Sequence, residues 1–432
     1  MALDIKYLKS EIVDQYFEDD GNIPWIIGFS GGKDSTMLLQ LVWQALSSEP
    51  AGLRTRSIHV VCNNTLVENP KIIQYTDKVL QLIEKAALDQ AMPIFVQRTT
   101  PPLEDTFWVN LLGKGYPAPN NTFRWCTDRL KINPTSEFIK ATISAVGEAI
   151  ILLGTRKDES VSRAQSIEKN KGNIQNSRLR KHPLPNASVF APITDVTTEE
   201  VWQYLLQNPS PWGASNRSLV TIYNNATGGD CPLITDISTP SCGNSRFGCW
   251  VCTVVKKDKS MQALIDNGEE WMEPMVEFRD MLADFRNDPT WREPKRRNDQ
   301  EGIGPYTAEK RAFMLGKLLE AQKEVRKQEP ELMLISYQEL VAIQVNWHRD
   351  SIFNYSVAAI YNKVYGTDLE EIDFSVNNVD RQILNDVCME GDAQLINELL
   401  ELQKSKFILV NNYRMQNDIE THLERFIKKT VL

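Results

Sequence analysis

Residues 23–35 read Ile23-Pro24-Trp25-Ile26-Ile27-Gly28-Phe29-Ser30-Gly31-Gly32-Lys33-Asp34-Ser35, and TMLLQLVWQAL (36–46) follows. The first seven residues are a short apolar run, the next six a glycine-containing polar turn, and the remainder carries apolar positions at helical spacing. That order predicts a buried strand, a tight turn and a helix. The same alternation continues along the chain. SIHVVCNN (57–64) is apolar and β-branched, and a helical stretch runs from 70 to 88. MPIFVQR (92–98) is a third strand candidate, NPTSEFIKATISAV (133–146) a helix, and AIILLGTR (149–156) a fourth strand. TDVTTEEVWQYLLQN (194–208) opens with a capping-box pair, Thr197 and Glu200. Strands alternating with helices predict an α/β domain with a parallel sheet over residues 1–210.

Beyond 210 the character changes. Residues 211–255 concentrate Gly, Pro, Asn and four cysteines, and 256–432 read as a helical C-terminal region, including DAQLINELLELQKSKF (392–407). Residues 286–300 are polar and basic, and read as a loop. A chain of 432 residues exceeds one ordinary core, so several units are expected. With 42% hydrophobic and 24% charged residues the composition is that of a soluble globular protein. No apolar stretch nears the roughly 20 residues of a membrane span. The first 20 residues lack a signal-peptide core, so a cytoplasmic location without membrane association is expected. The formal charge of −9 argues against tight DNA binding by the chain alone, though not against a basic face or a basic partner.

The turn is suited to phosphate. Glycines let backbone N–H groups face an anion, the positive end of a helix lies beside them, and Lys33 adds a point charge. The pattern GxxxxGK[ST] is not met, because Asp34 follows Lys33. Ser30-Gly31-Gly32-Lys33-Asp34-Ser35 after an apolar strand resembles the PP-loop of the adenine nucleotide alpha-hydrolase-like superfamily of ATP pyrophosphatases. The resemblance implies that Ser30, Gly31, Gly32, Lys33, Asp34 and Ser35 bind the β and γ phosphates of ATP with Mg²⁺. Gly154-Thr155-Arg156-Lys157-Asp158-Glu159-Ser160, ending in Arg163, is similar to the G-x-R-x-x-E-S-x-x-R stretch of the phosphoadenylylsulfate reductase-like branch. That similarity implies nucleotide contact at Gly154 and Arg156, and catalytic roles for Lys33, Arg156 and Arg163 near the α-phosphate or incoming acid. Read without it, 156–182 is a solvated loop of mixed charge. Trp202 and Tyr204, within a stretch that also resembles this branch, read as core residues.

Seven cysteines are present. Cys231, Cys242, Cys249 and Cys252 fall in one short window, which in a reducing compartment points to metal before disulfide. Four thiolates suit a [4Fe–4S] cluster or structural zinc, and the single short C-x-x-C favours iron–sulfur. Cys126 stands alone beside Arg124, Arg129 and Lys131. Those cations are expected to lower its pKa and favour a nucleophilic thiolate, with a half-buried structural cysteine as the alternative. Cys62 and Cys388 read as packing residues. The four histidines form no base or metal cluster, so positioning and electrostatics are expected to dominate.

The whole chain, with its loop, late cysteine module and helical tail, resembles the DndC/SspD family of DNA phosphorothioation sulfurtransferases. The resemblance implies a [4Fe–4S] centre, ATP-dependent adenylylation of a DNA backbone phosphate, and replacement of a non-bridging oxygen by sulfur. It further implies a cysteine desulfurase as donor, other phosphorothioation proteins as partners, and a sulfur-carrying Cys126. The other readings are a phosphoadenylylsulfate or adenylylsulfate reductase, a tRNA thiolase, and a silent nucleotide-binding scaffold. Against the reductases, the chain has no late E-C-G-[IL]-H motif and no adjacent cysteine pair.

Overall fold

The computed structural model describes residues 3–18, 23–159, 164–165, 178–226, 248–297 and 300–368, with isolated helical positions at 395, 396 and 399. Most of 392–407 lies outside the described residues. Two compact units emerge, one of Met1–Pro102 with Pro119–Val276, the other of Leu103–Ala118 with Glu277–Leu432.

In chain order the first unit carries α1 (Ile5–Phe17), β1 (Trp25–Gly28), α2 (Lys33–Ser47), β2 (Ile58–Asn63), α3 (Pro70–Asp89) and β3 (Ile94–Thr99). There follow α4 (Asn133–Val146), β4 (Ala149–Leu152), β5 (Leu179–Lys181), β6 (Ala187–Phe190), α5 (Thr198–Gln207), α6 (Asn216–Ala226) and α7 (Lys259–Asp266). The six strands form one sheet in the order β3-β2-β1-β4-β6-β5. All neighbours are parallel except β5, which runs antiparallel to β6. β1 is central, with Trp25 opposite Ile58 of β2 and Ile150 of β4.

The apolar run of β1 is continuous because both faces of the sheet are covered. Trp25 and Ile27 enter a core shared with α1, α2 and α3. Ile26 faces the other way, into a smaller core with Ile139 of α4 and Ile151 of β4. α2 buries Met37, Leu38, Leu39, Leu41, Val42 and Trp43, an apolar surface wider than one stripe. α3 starts from an Asn69 cap with Pro70 at its first position, and α5 from the expected Thr197–Glu200 capping box. The edge pair β5 and β6 lacks a sequence signal, since Leu179–Lys181 and Ala187–Phe190 are short and half-polar.

The chain runs outward from β1 to β2 and β3, then returns to the other side of β1 as β4. The switch point of the sheet therefore lies between β1 and β4, at the ends of the strands where ligands of open α/β sheets bind. Residues 30–32 leave β1 at that point.

The second unit contains α8 (Glu273–Phe285), which starts just before its boundary, and then α9 (Ala308–Val325), α10 (Tyr337–Arg349) and α11 (Val357–Tyr365). Residues 103–118 fall inside the span read as the α/β domain, yet they pack here. Trp108 and Leu112 are fully buried. The Trp108 indole donates to the Leu334 carbonyl at 2.6 Å, and the Trp347 indole to the Leu112 carbonyl at 2.8 Å. Among the described residues no helix is long and apolar enough to cross a membrane.

Candidate functional site

The loop after β1 is wound tightly. Gly31 has φ of +72°, a left-handed conformation, and a Cβ there would lie 2.8 Å from the Thr76 hydroxyl. Both constraints select glycine. The Ser30 amide donates to the Ser35 hydroxyl at 3.2 Å, and that hydroxyl donates to the Gly32 carbonyl at 3.1 Å. Gly32 caps α2 without a side-chain hydrogen bond, so the positive end of this 15-residue helix faces the loop, with its first amide, that of Lys33, donating to the Tyr223 hydroxyl at 3.4 Å. The Lys33 ammonium lies 3.1 Å from Asp34 and over the Tyr223 ring at 5.6 Å.

Gly154 and Arg156 fix the loop from behind. A Cβ at Gly154 would meet the Asp34 carbonyl oxygen at 2.9 Å, so the chain just past β4 approaches the start of α2 backbone to backbone. Arg156 is 1% exposed. Its Nε donates to Asp34 at 2.7 Å, one Nη to the Val196 carbonyl at 3.1 Å and the other to Thr198 at 3.1 Å. With every guanidinium nitrogen taken by protein, Arg156 acts on the loop through Asp34 and ties it to the start of α5. Arg163 lies outside the described residues.

A second set of groups gathers past the end of β2. Asn63 donates to the Lys131 carbonyl at 3.1 Å and to Thr135 at 2.8 Å, fastening the start of α4. The Trp250 amide donates to the Val67 carbonyl at 3.0 Å, and Cys249 pairs as an antiparallel bridge with Glu68. The Cys252 amide donates to the Cys249 carbonyl at 3.0 Å, so the C-x-x-C forms one turn. Thr65 lies 3.4 Å from the Cys249 sulfur.

Cys126, on the helical turn Trp125–Thr127, is close enough to Cys249 and Cys252 to feel their charge. Burial pushes its thiol up to about 11, Cys249 and Cys252 add to the shift, and Thr127 and Lys131 oppose it. The lowering expected from neighbouring cations is therefore reversed, because desolvation outweighs Lys131. Burial also raises Cys249. Cys62 is pushed up to about 12, by burial first and the Glu68 carboxylate second. Lys131 stands 3.8 Å from Glu68. Among the described residues, no three His, Cys, Asp or Glu side chains converge tightly enough to hold a metal ion. Cys231 and Cys242 lie outside the described residues.

A cavity of about 240 Å³ joins the two sets. Ser30 lines it at the phosphate loop, and Cys62, Asn63, Glu68, Lys131 and Gly248 line it toward the thiols. Cys62 is thus buried, as its apolar setting implied, but it borders the cavity. Glu68 and Tyr223 were not legible in the sequence. Tyr223 accepts from the Lys33 amide at 3.4 Å across 190 residues of chain, which no local pattern reports.

The phosphoadenosine phosphosulfate reductase domain model matches residues 24–255, more than half of the chain. The chain belongs to that family. The reductase-like branch expected from the Gly154–Arg163 stretch is thereby supported, and with it a nucleotide-binding domain. An uncharacterized protein of Methanocaldococcus jannaschii is 28% identical over 190 residues. The match covers 44% of this chain and spans about a third, 32%, of that relative. Among solved structures, the phosphoadenylyl-sulfate reductase of Candida auris in its phosphate complex gives a TM-score of 0.30 at 12% identity, covering 52% of this chain and 94% of that one. The FMN adenylyltransferase of Candida glabrata, in complex with FMN and the ATP analogue AMPCPP, gives 0.30 at 12% identity, covering 52% and 60%.

Proposed function

We propose that this reductase-family chain is an ATP pyrophosphatase and sulfurtransferase that activates a backbone phosphate of DNA by adenylylation and then replaces a non-bridging oxygen with sulfur. The cavity running from Ser30 to Cys62, Lys131 and Gly248 is the observation that carries this reading, because it opens from the phosphate loop toward Lys131 and Gly248, the sequence neighbours of the Cys126 and Cys249 segments.

In the first step an acceptor phosphate oxygen attacks the α-phosphorus of ATP, the α–β bridging bond breaks, and pyrophosphate leaves with the electron pair. The Gly31 amide, the α2 dipole and the Lys33 ammonium suit that leaving group, and Mg²⁺ travelling with ATP would neutralise part of its charge. Asp34, held by Arg156, keeps the loop in its wound form. In the second step the terminal sulfur of a persulfide on Cys126 attacks the activated phosphorus and AMP leaves. A second thiolate then attacks the Cys126 sulfur, so the new sulfur stays on phosphorus and the protein disulfide is reset by an external thiol. A cysteine desulfurase is the fitting source of the persulfide sulfur, and partner subunits of a phosphorothioation system would supplement the DNA affinity of an acidic chain.

Cys231, Cys242, Cys249 and Cys252 would hold a [4Fe–4S] cluster, and the single turn formed by Cys249 and Cys252 fits two of its ligands. Such a cluster supplies one-electron chemistry to its surroundings.

The test is mass spectrometry of nuclease-digested DNA and tRNA from cells with the gene, without it, and with Cys126→Ser. Phosphorothioate-linked dinucleotides that need the gene and Cys126 are the expected result. A lost thionucleoside in tRNA with unchanged DNA would overturn the DNA acceptor in favour of tRNA thiolation, and no change in either pool would overturn sulfur transfer.

A further inference from the structure

We propose that Tyr223 is a phosphate-binding residue of the loop after β1, its hydroxyl carrying the positive end of α2 one hydrogen bond further, to an oxygen of the nucleotide's pyrophosphate group. This assignment rests on the phosphate-loop reading above, and its test separates the two.

Tyr223 belongs to α6, far along the chain from the loop, yet three observations place its side chain there. Its hydroxyl accepts from the Lys33 amide at 3.4 Å. A Cβ at Gly32 would lie 3.2 Å from that hydroxyl and 3.4 Å from the Ser30 hydroxyl, so the two hydroxyls flank Gly32 and glycine leaves them their room. The Lys33 ammonium lies over the Tyr223 ring at 5.6 Å. One tyrosine therefore meets both the backbone and the side-chain cation of Lys33.

The ring has a firm mounting. Trp202 meets it edge-on, with centroids 5.0 Å apart and planes at 83°. Trp202 is fully buried on α5, the helix whose start Arg156 ties to Asp34 of the loop. Tyr223 is half-buried and packs against the main core of the sheet. Much of the rotamer freedom of this side chain is thus lost on folding rather than on binding, which favours a ligand contact made through its tip.

A phenol hydroxyl both accepts and donates. With the Lys33 amide directed at its oxygen, the hydroxyl proton points away from that amide. Accepting the bond also polarises the O–H, since hydrogen bonds in a chain strengthen one another. A capping role alone would call for neither the ring on the ammonium nor the approach to Gly32 and Ser30, because a loop amide can be satisfied by water. The same features suit a polyphosphate, whose charged oxygens take short, strong hydrogen bonds from several donors at once.

The experiment measures binding of inorganic pyrophosphate with Mg²⁺ to the full chain by calorimetry, in wild type, Tyr223→Phe, Tyr204→Phe and Lys33→Ala. Tyr223→Phe keeps the ring against Lys33 and removes only the hydroxyl. It should bind pyrophosphate about tenfold more weakly, the worth of one hydrogen bond to a charged group. Tyr204→Phe removes a hydroxyl that donates to Gln44 at 3.1 Å within the core, and it should keep wild-type affinity. Equal losses in the two tyrosine variants would reduce the effect to a loosened core and overturn the assignment. Wild-type affinity in Tyr223→Phe beside a loss in Lys33→Ala would overturn Tyr223 and leave the phosphate loop standing. Tighter binding in Tyr223→Phe would show that the hydroxyl competes with the anion, and would overturn it too. No pyrophosphate binding by the wild-type chain, or full affinity in Lys33→Ala, would overturn the loop reading and Tyr223 together.

Discussion

Two charged residues of the phosphate loop region have opposite duties, and substitution separates them. The Lys33 ammonium is partly exposed and its pair with Asp34 contributes little to folding. Lys33→Ala should weaken ATP binding about tenfold to a hundredfold by calorimetry, the worth of one charge-assisted hydrogen bond, with a denaturation midpoint close to wild type. Arg156 is buried and its fork reaches Asp34, Val196 and Thr198. Arg156→Ala should cost about 3 kcal/mol of unfolding free energy, and Arg156→Lys should restore little of it, because an ammonium cannot reproduce the fork. An unchanged midpoint in Arg156→Ala would refute its role as the tie behind the loop. The loop itself was readable in the sequence because strand, glycines and helix are contiguous there. Arg156 was found by its motif, but its burial was not, since that depends on α5 and on Asp34 122 residues away. The Cys126 thiol was misjudged for the same reason. Sequence neighbours supplied the cations, while the fold supplied desolvation and two further thiols.

At the level of elements, α2 to α5 and β1 to β4 follow periodicity and capping closely enough to be read in advance, whereas α1 was not read from the charged and apolar mixture of the first 20 residues. β5 and β6 do not, because their pairing rather than their composition makes them strands. The start of α10 offers a test of capping. Ser336 and Glu339 form a capping box, with the Ser336 amide donating to Glu339 at 3.0 Å. Burial raises the Glu339 carboxyl above its ordinary value of 4.5, outweighing the Ser336 hydrogen bonds that lower it. The folded chain therefore holds this proton more tightly than the unfolded chain. The stability it contributes is complete below the unfolded value and falls as pH climbs through the raised folded one. Glu339→Gln keeps an acceptor for the Ser336 amide without the buried charge. The variant should gain on wild type in denaturation midpoint as pH rises from about 4.5 toward neutrality. A difference that stays constant with pH would show that Glu339 is not desolvated in the folded chain.

For the whole molecule, the decisive feature is that the second unit is assembled from two separate stretches of chain. Sequence reading divided the chain serially, and a segment of 16 residues embedded in a strand–helix succession gives no local sign that its partners come after 276. Its side chains are nonetheless central: Trp108, Leu111 and Leu112 are fully buried, and Arg311 donates to the Gly113 carbonyl at 3.0 Å. A fragment of residues 277–432 should therefore fail to unfold cooperatively by circular dichroism, and linking residues 103–118 to it should restore a transition. Cooperative unfolding of 277–432 alone would refute this dependence. The same interleaving sets an order on synthesis. Residues 103–118 leave the ribosome before any of 277–368 exists, and at about 5–20 residues per second they wait roughly ten to thirty seconds for their partners. During that interval Phe107, Trp108, Leu111 and Leu112 form an apolar stretch without a home, which makes the nascent chain a client for chaperones at a defined stage of translation.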